Sequence, residues 1–187
     1  MLTIAQGFLR GKKIPIPNRD LVRPMGQRMR EMVFNILHHR CGVIWENTVV
    51  LDSFAGSGSL GLEALSRGAA RVFFLDILLE NVSNIKAIID TYKLNALSLC
   101  ANTTQPFKLP TLVNVSFVDP PFGADVLEKG VRCAAQHMTQ DGVMVIQKPT
   151  EEAMFIPPGW ELCAERTYTY KQVYFLQRTT DCLTDDQ

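Results

Sequence analysis

A chain of 187 residues, 47% of them hydrophobic, with 19 Lys/Arg balanced by 19 Asp/Glu, suits one α/β domain carrying a small appendage. Its zero net charge argues neither for nor against a nucleic-acid partner. No apolar run reaches the roughly 18 residues of a membrane span, Gly7, Arg10, Lys12 and Lys13 interrupt the N-terminus too early for a signal peptide, and five cysteines without a CxxC pair (Cys41, Cys100, Cys133, Cys163, Cys182) read as reduced packing residues of a cytoplasmic protein, neither a zinc site nor a disulfide framework.

Residues 1–40 hold eight Lys/Arg against two acids, and the remaining chain holds eleven against seventeen. A basic arm on an acidic body is the asymmetry expected of a local polyanion contact. Residues 2–17 alternate weakly around "LRGKK" and predict a hairpin or extended arm, which Pro15 and Pro17 keep short. In "GQRMREMVFNILHH", Met29, Met32, Val33, Ile36 and Leu37 form one helical stripe, with Arg28, Arg30 and Glu31 mostly off it. The helix is therefore expected to pack on the body while offering guanidinium groups to a partner.

From Thr48 strands and helices alternate. A strand "TVVLDSF" precedes a helix from about Ser59 to Arg67, and "RVFFLD" precedes a helix from about Leu79 to Tyr92. A short strand near "LSLCA", a Thr- and Pro-rich loop and a strand "VNVSFVD" follow, then a helix from about Ala124 to Met138, a turn at "QDG" and a strand "VMVIQK". This order implies parallel βαβ units with right-handed crossovers. "WELCAERTYTYKQVYFLQR", with a break near Tyr170-Lys171-Gln172, predicts an antiparallel hairpin at the sheet edge. The division expected is a basic arm and helix over 1–40, a catalytic domain over 41–180 and a frayed tail over 181–187. His38, His39 and His137 show no metal spacing and read as surface or packing residues, so no metal is expected.

Gly56-x-Gly58-x-x-Gly61 follows the first of these strands, and Asp76 closes the second. Glycines admit a ligand close to backbone, and an acid at that strand tip can accept hydrogen bonds from ribose hydroxyls. Asp52 ends the first strand immediately before the loop. A carboxylate there would repel a pyrophosphate but suits a ligand with an ammonium or sulfonium group, such as S-adenosylmethionine.

"FAGSGSLGLEALSRGA", "DPPF" and "LVRPMGQRMREMVFNIL" resemble the RsmD-type enzymes, class I S-adenosylmethionine-dependent methyltransferases that act on the N2 amine of a guanine in small-subunit ribosomal RNA. The resemblance covers nearly the whole chain. It implies a Rossmann-like α/β fold with a mostly parallel seven-stranded sheet, an antiparallel C-terminal hairpin and a small N-terminal extension. It implies cofactor contacts from Asp52, Phe54, Gly56, Gly58, Leu60, Asp76, Ile77, Asn102 and Thr103, and catalysis at Asp119, Pro120, Pro121 and Phe122. Arg10, Lys12, Arg23, Arg28 and Arg30 are expected on RNA phosphates. The chain departs from the family in having Met25 and Gly26 after Arg23-Pro24 where Thr is usual, Asn102 where Asp is usual, and no glycine in "RTYTYKQ".

An exocyclic amine is a weak nucleophile because its lone pair is delocalised into the ring. Two acceptors aimed at its hydrogens, the Asp119 carboxylate and the Pro120 carbonyl, would localise and direct that lone pair, and Phe122 would stack on the base or wall the pocket. The partner expected is ribosomal RNA or a small-subunit particle, met by a monomer. The competing readings are methylation of adenine N6 or cytosine N4, a nicotinamide-dependent oxidoreductase, and an RNA-binding module without activity.

Overall fold

The computed structural model describes residues 1–16, 25–121 and 124–179. Arg23, Phe122 and the tail 181–187 lie outside the described residues.

The arm is a two-stranded ribbon, β1 (Leu2–Thr3) paired antiparallel with β2 (Lys13–Ile14). Helix α1 (Gln27–His39) follows, and its buried face is Met29, Arg30, Val33, Phe34, Ile36 and Leu37. The main sheet starts with β3 (Val49–Asp52), α2 (Ser59–Ser66), β4 (Arg71–Asp76), α3 (Leu79–Tyr92) and β5 (Ala96–Cys100). It continues through β6 (Val113–Val118), α4 (Ala124–Ala135), β7 (Met138–Pro149), β8 (Trp160–Tyr168) and β9 (Lys171–Arg178). The strand order is β5-β4-β3-β6-β7-β9-β8, parallel from β5 to β7, with β9 and β8 antiparallel. The C-terminal hairpin thus turns back, so its last strand pairs with β7 and β8 takes the edge.

Strands covered on both faces read as continuous apolar runs, and their alternating side chains feed two cores. Val50, Val72, Phe74, Val115, Phe117 and Val145 meet α1, α2 and α3 on one face. Leu51, Phe73, Leu75, Val118, Met144 and Ile146 meet Leu127, Val131 and Ala134 of α4 on the other. Leu2, Ile4, Leu9 and Ile14 of the arm belong to the first core, so the N-terminal segment is continuous with the body.

Two local expectations are corrected. "QDG" is not a turn between elements, because β7 pairs with β6 on both sides of it: Val113 faces Met138 and Val115 faces Val143. The surplus β7 residues bulge out, leaving Gln140 and Asp141 exposed. The chain reversal after β8 falls on Thr169-Tyr170, one residue earlier than the predicted break, since Tyr168 pairs with Lys171. Thr169 has φ 56, the left-handed conformation that the first residue of such a two-residue turn needs and that glycine adopts most easily.

The arm is strapped to α2. Glu63 is fully buried, and its carboxylate accepts from the backbone N–H groups of Ala5 (2.9 Å) and Gln6 (3.0 Å). It also accepts from Arg30 Nε (3.2 Å) and Arg67 Nε (3.1 Å). Phe8 N–H donates to the Ser66 carbonyl at 2.9 Å, satisfying one of the acceptors left free at the end of α2. Gly7 makes this approach possible, because a Cβ there would lie 1.6 Å from the Ser66 carbonyl oxygen.

Candidate functional site

In an open α/β sheet, ligands bind outside the carboxyl ends of the strands where the order reverses. Here that point lies between β3 and β6, since the chain runs outward from β3 to β5 and then returns beside β3. Asp52 ends β3, Asp76 ends the neighbouring β4, and Asp119-Pro120-Pro121 follows β6. The predicted acids therefore meet at one crevice.

The loop from Ser53 to Gly58 is stitched to both neighbours of β3. Ser53 N–H donates to the Phe117 carbonyl (3.0 Å) and Ala55 N–H to the Leu75 carbonyl (2.9 Å). Gly56 and Gly58 have φ 51 and 72, and Gly58 caps α2. Gly61 is required for packing: a Cβ there would lie 2.2 Å from the Phe74 ring, so only glycine lets α2 rest on β4.

Asp52 is buried, and its Oδ2 accepts the Gly61 N–H at 3.0 Å. Burial pushes its carboxyl up to about 8; the Gly61 N–H opposes this, while Asp119 and Asp76 add to it. Asp76 accepts from Gly56 N–H at Oδ2 (2.6 Å) and from Leu78 N–H at Oδ1 (2.8 Å). It thus braces the glycine loop, and each oxygen keeps a further lone pair for a ligand hydroxyl. Asp119 is partly accessible. Burial of its carboxylate raises its pKa, while Lys171 and a hydrogen bond from Gln147 hold it down. Gln147 Nε2 donates to Asp119 Oδ1 at 2.6 Å.

The remaining predicted cofactor residues differ in what they present. Ile77 is 64% exposed next to Asp76, an apolar side chain open to solvent. Phe54 is half-buried, with its ring over Gly130 of α4. The Leu60 side chain belongs to the core, so any ligand contact there is through backbone. Asn102 Oδ1 accepts from Thr104 N–H (3.1 Å) and Oγ1 (2.7 Å), and Thr103 is buried. Pro120 is half-buried and Pro121 exposed.

Among the predicted phosphate contacts, Arg10, Lys12 and Arg28 are exposed. Arg10 lines a cleft with the loop Thr3–Gly7 and with Gln27 and Glu31 of α1. Arg30 is a correction. It is 1% exposed, and besides Glu63 its guanidinium donates to the carbonyls of Met25 (3.1 Å) and Thr3 (2.6 Å), so every contact it makes is internal. Sequence reasoning missed Gln147, Lys171 and Glu63. The polar pair Gln147-Lys148 closing the apolar run "VMVI" marks the end of a strand beside the Asp-Pro-Pro turn, and was the available signal. Among the described residues no His/Cys/Asp/Glu group is arranged to hold a metal, and no helix is long and apolar enough to cross a membrane.

A seven-stranded sheet whose final strand inserts antiparallel beside β7, with an acid-lined glycine loop at its switch point, is the architecture of the class I methyltransferases, to which this chain's structural neighbours belong. The family model described as Conserved hypothetical protein 95 matches residues 2–177, and the chain belongs to that family. It is 31% identical over 173 residues to the Ribosomal RNA small subunit methyltransferase D of Haemophilus influenzae, covering 88% of this chain and 87% of that one. The yhhF protein from Escherichia coli superposes with a TM-score of 0.82 at 29% identity, covering 96% and 98% of the two chains. The 16S rRNA N2 G1207 methyltransferase (RsmC) of Thermus thermophilus, solved with AdoMet and guanosine, shares the fold at a TM-score of 0.64 and 21% identity over 91% of this chain and 46% of its own.

Proposed function

We propose that this protein transfers a methyl group from S-adenosylmethionine to the exocyclic N2 amine of a guanine in small-subunit ribosomal RNA. The observation that carries the reading is the position of Asp119-Pro120 after β6, one strand from the glycine loop after β3. An acceptor for an amine thereby stands beside a cradle for the methyl donor.

The residues of the crevice fit that cofactor. Asp52, Asp76 and Asp119 lie close enough for the latter two to raise the first, a field that favours a cation and disfavours a pyrophosphate. When bound, the cofactor supplies a methyl carried on a sulfonium. Asp76 would take its ribose hydroxyls, the Gly56–Gly58 backbone its amino-acid end, and Ile77 the face of its adenine. Asp119 Oδ and the Pro120 carbonyl would accept the two amine hydrogens, fixing the lone pair for in-line attack. Positioning of this kind is worth several kcal/mol, up to about 7–11 in well-oriented cases. A strong base is not needed, since the alkylated amine loses its proton readily.

The base must leave its stack to reach Asp119, which single-stranded loops permit cheaply. Arg10, Lys12 and Arg28 would hold phosphates on either side, with Arg23 as a further candidate. The chain would act as a monomer, in the cytoplasm, on ribosomal RNA or the small-subunit particle. The decisive experiment maps modified nucleosides by mass in ribosomal RNA from cells lacking the gene, then restores the mark with purified protein and labelled cofactor. Loss and restoration of one N2-methylguanosine supports the reading; an unchanged modification map overturns it.

A further inference from the structure

We infer that Gln147 is a positioning residue, which holds the Asp119 carboxylate in one orientation and in its ionised, hydrogen-accepting form. This rests on the reading that Asp119 accepts from the substrate amine. Gln147 lies on β7, one residue beyond the Val118–Ile146 pair, and is 2% exposed. Its Nε2 reaches Asp119 Oδ1 at 2.6 Å. Its other amide atom, Oε1, is buried with no hydrogen-bond partner among the described residues.

These two facts together identify what the side chain is for. A buried carbonyl without a partner destabilises a fold, so glutamine is a poor choice here for packing. Its donor, in contrast, makes a short bond to the one carboxylate proposed for the chemistry. A donor selects the ionised over the protonated acid. It also occupies one oxygen of Asp119, directing the remaining lone pairs toward the incoming amine.

The surroundings oppose ionisation. Burial of Asp119 disfavours its charge, and the acids of the same crevice, Asp52 on β3 and Asp76 on β4, bring no compensating positive charge. On the other side Lys171 of β9 favours the charged form. Lys148, beside Gln147, is engaged elsewhere, donating to the Pro149 carbonyl (2.9 Å) and Gln172 Oε1 (2.8 Å). Gln147 and Lys171 are therefore the two described groups that favour the ionised form of Asp119.

The test compares Gln147→Met and Gln147→Leu with the wild type and with Asp119→Asn. The expected result for the Gln147 variants is a kcat about tenfold lower, since a hydrogen bond to a charged group is lost. The acid limb of kcat/KM should move up by about one pH unit, because the donor that favoured ionisation is gone. The KM for S-adenosylmethionine should stay within about twofold, and the melting temperature should hold or rise as the orphaned carbonyl is removed. A purely structural role predicts the reverse: lower melting temperature with an unmoved pH profile. That outcome, or unchanged kcat and pH profile, overturns the inference. Full activity in Asp119→Asn would instead sink the underlying reading of Asp119, so the two failures are distinguishable.

Discussion

Buried carboxylates gather at two places along helix α2, around Glu63 within it and beside its N-terminus, and the two clusters are built differently. At Glu63 one fully buried acid receives two backbone N–H groups and two guanidinium groups. At the other place Asp52, Asp76 and Asp119 stand close together; burial raises the pKa of Asp52 and of Asp119, opposed at Asp52 by the Gly61 N–H and at Asp119 by Lys171 and the Gln147 amide. In the first cluster both carboxylate oxygens are paired with cations and backbone donors. The second is short of positive charge, which a cationic ligand would supply. One acidic site holds the protein together, and its counterpart is the one proposed to bind.

The comparison breaks most sharply at Glu63. Glu63→Ala leaves Arg30 and Arg67 buried beside an empty place, and removing one partner of a buried ion pair costs about 3–5 kcal/mol. Denaturant melts should record that loss. Replacing Arg30 and Glu63 together by Met and Leu should recover much of it, whereas recovery of nothing would mean that the backbone bonds to Ala5 and Gln6 dominate. At the opposite cluster, Asp119→Ala should cut turnover by about 10²–10³, the usual effect of deleting a preorganised electrostatic group, with cofactor affinity within about threefold. Single-turnover methyl transfer tests it, and retention of more than a tenth of wild-type turnover would remove Asp119 from the chemistry.

The crevice cluster should also declare itself through pH. The folded Asp52 carboxyl sits at about 8, against about 3.9 unfolded. The folded, ligand-free protein therefore binds more protons across that window, and its stability falls as pH rises through it. A cation favours the ionised carboxylate, so affinity for S-adenosylmethionine should rise, approaching about tenfold between pH 6 and pH 7. Calorimetry at several pH values reads this directly; a flat profile would place the ligand's charge away from Asp52.

The Glu63 cluster separates arginines that the sequence alone presents as equals. Arg10→Ala with Arg28→Ala should flatten the salt dependence of RNA binding, each lost contact lowering the log–log slope by about 0.7–0.9. Arg30→Ala should lower the melting temperature instead. Coincident slopes for the double variant and the wild type would mean that the RNA is held elsewhere. The smallest effect expected is at Thr169, where φ 56 is costly for a β-branched residue. Thr169→Gly should raise stability by about 0.5–1 kcal/mol, measurable by thermal melts.

Much of this was legible because the informative signals are local. The helix expected over Leu79–Tyr92 forms with those bounds, since Val82, Ile85, Ile88 and Ile89 fall on one buried face. The acids at strand tips could be placed because a βαβ chain puts its strand ends at one edge. Arg30 could not. The apolar stripe leaves it mostly aside, yet the structure buries it with Val33 and Phe34; charged residues are ordinarily outside, and the partner that brings it inside is 33 residues away. Gln147 was missed for a similar reason: its contact with Asp119 spans 28 residues and depends on which strands are neighbours. "QDG" has turn composition, yet parallel pairing on both flanks converts it into a bulge.

The strap at Glu63 also fixes an order of assembly. Ala5, Gln6 and Leu9 precede their partners on α2 by 57 or 58 positions. The ribbon can take its place only after α2 exists and has been seated on β4 through Gly61. Until then Leu2, Ile4 and Leu9 have no core to enter, and Arg30 has no carboxylate to meet. The arm thus docks only once the helix to which it is strapped has formed.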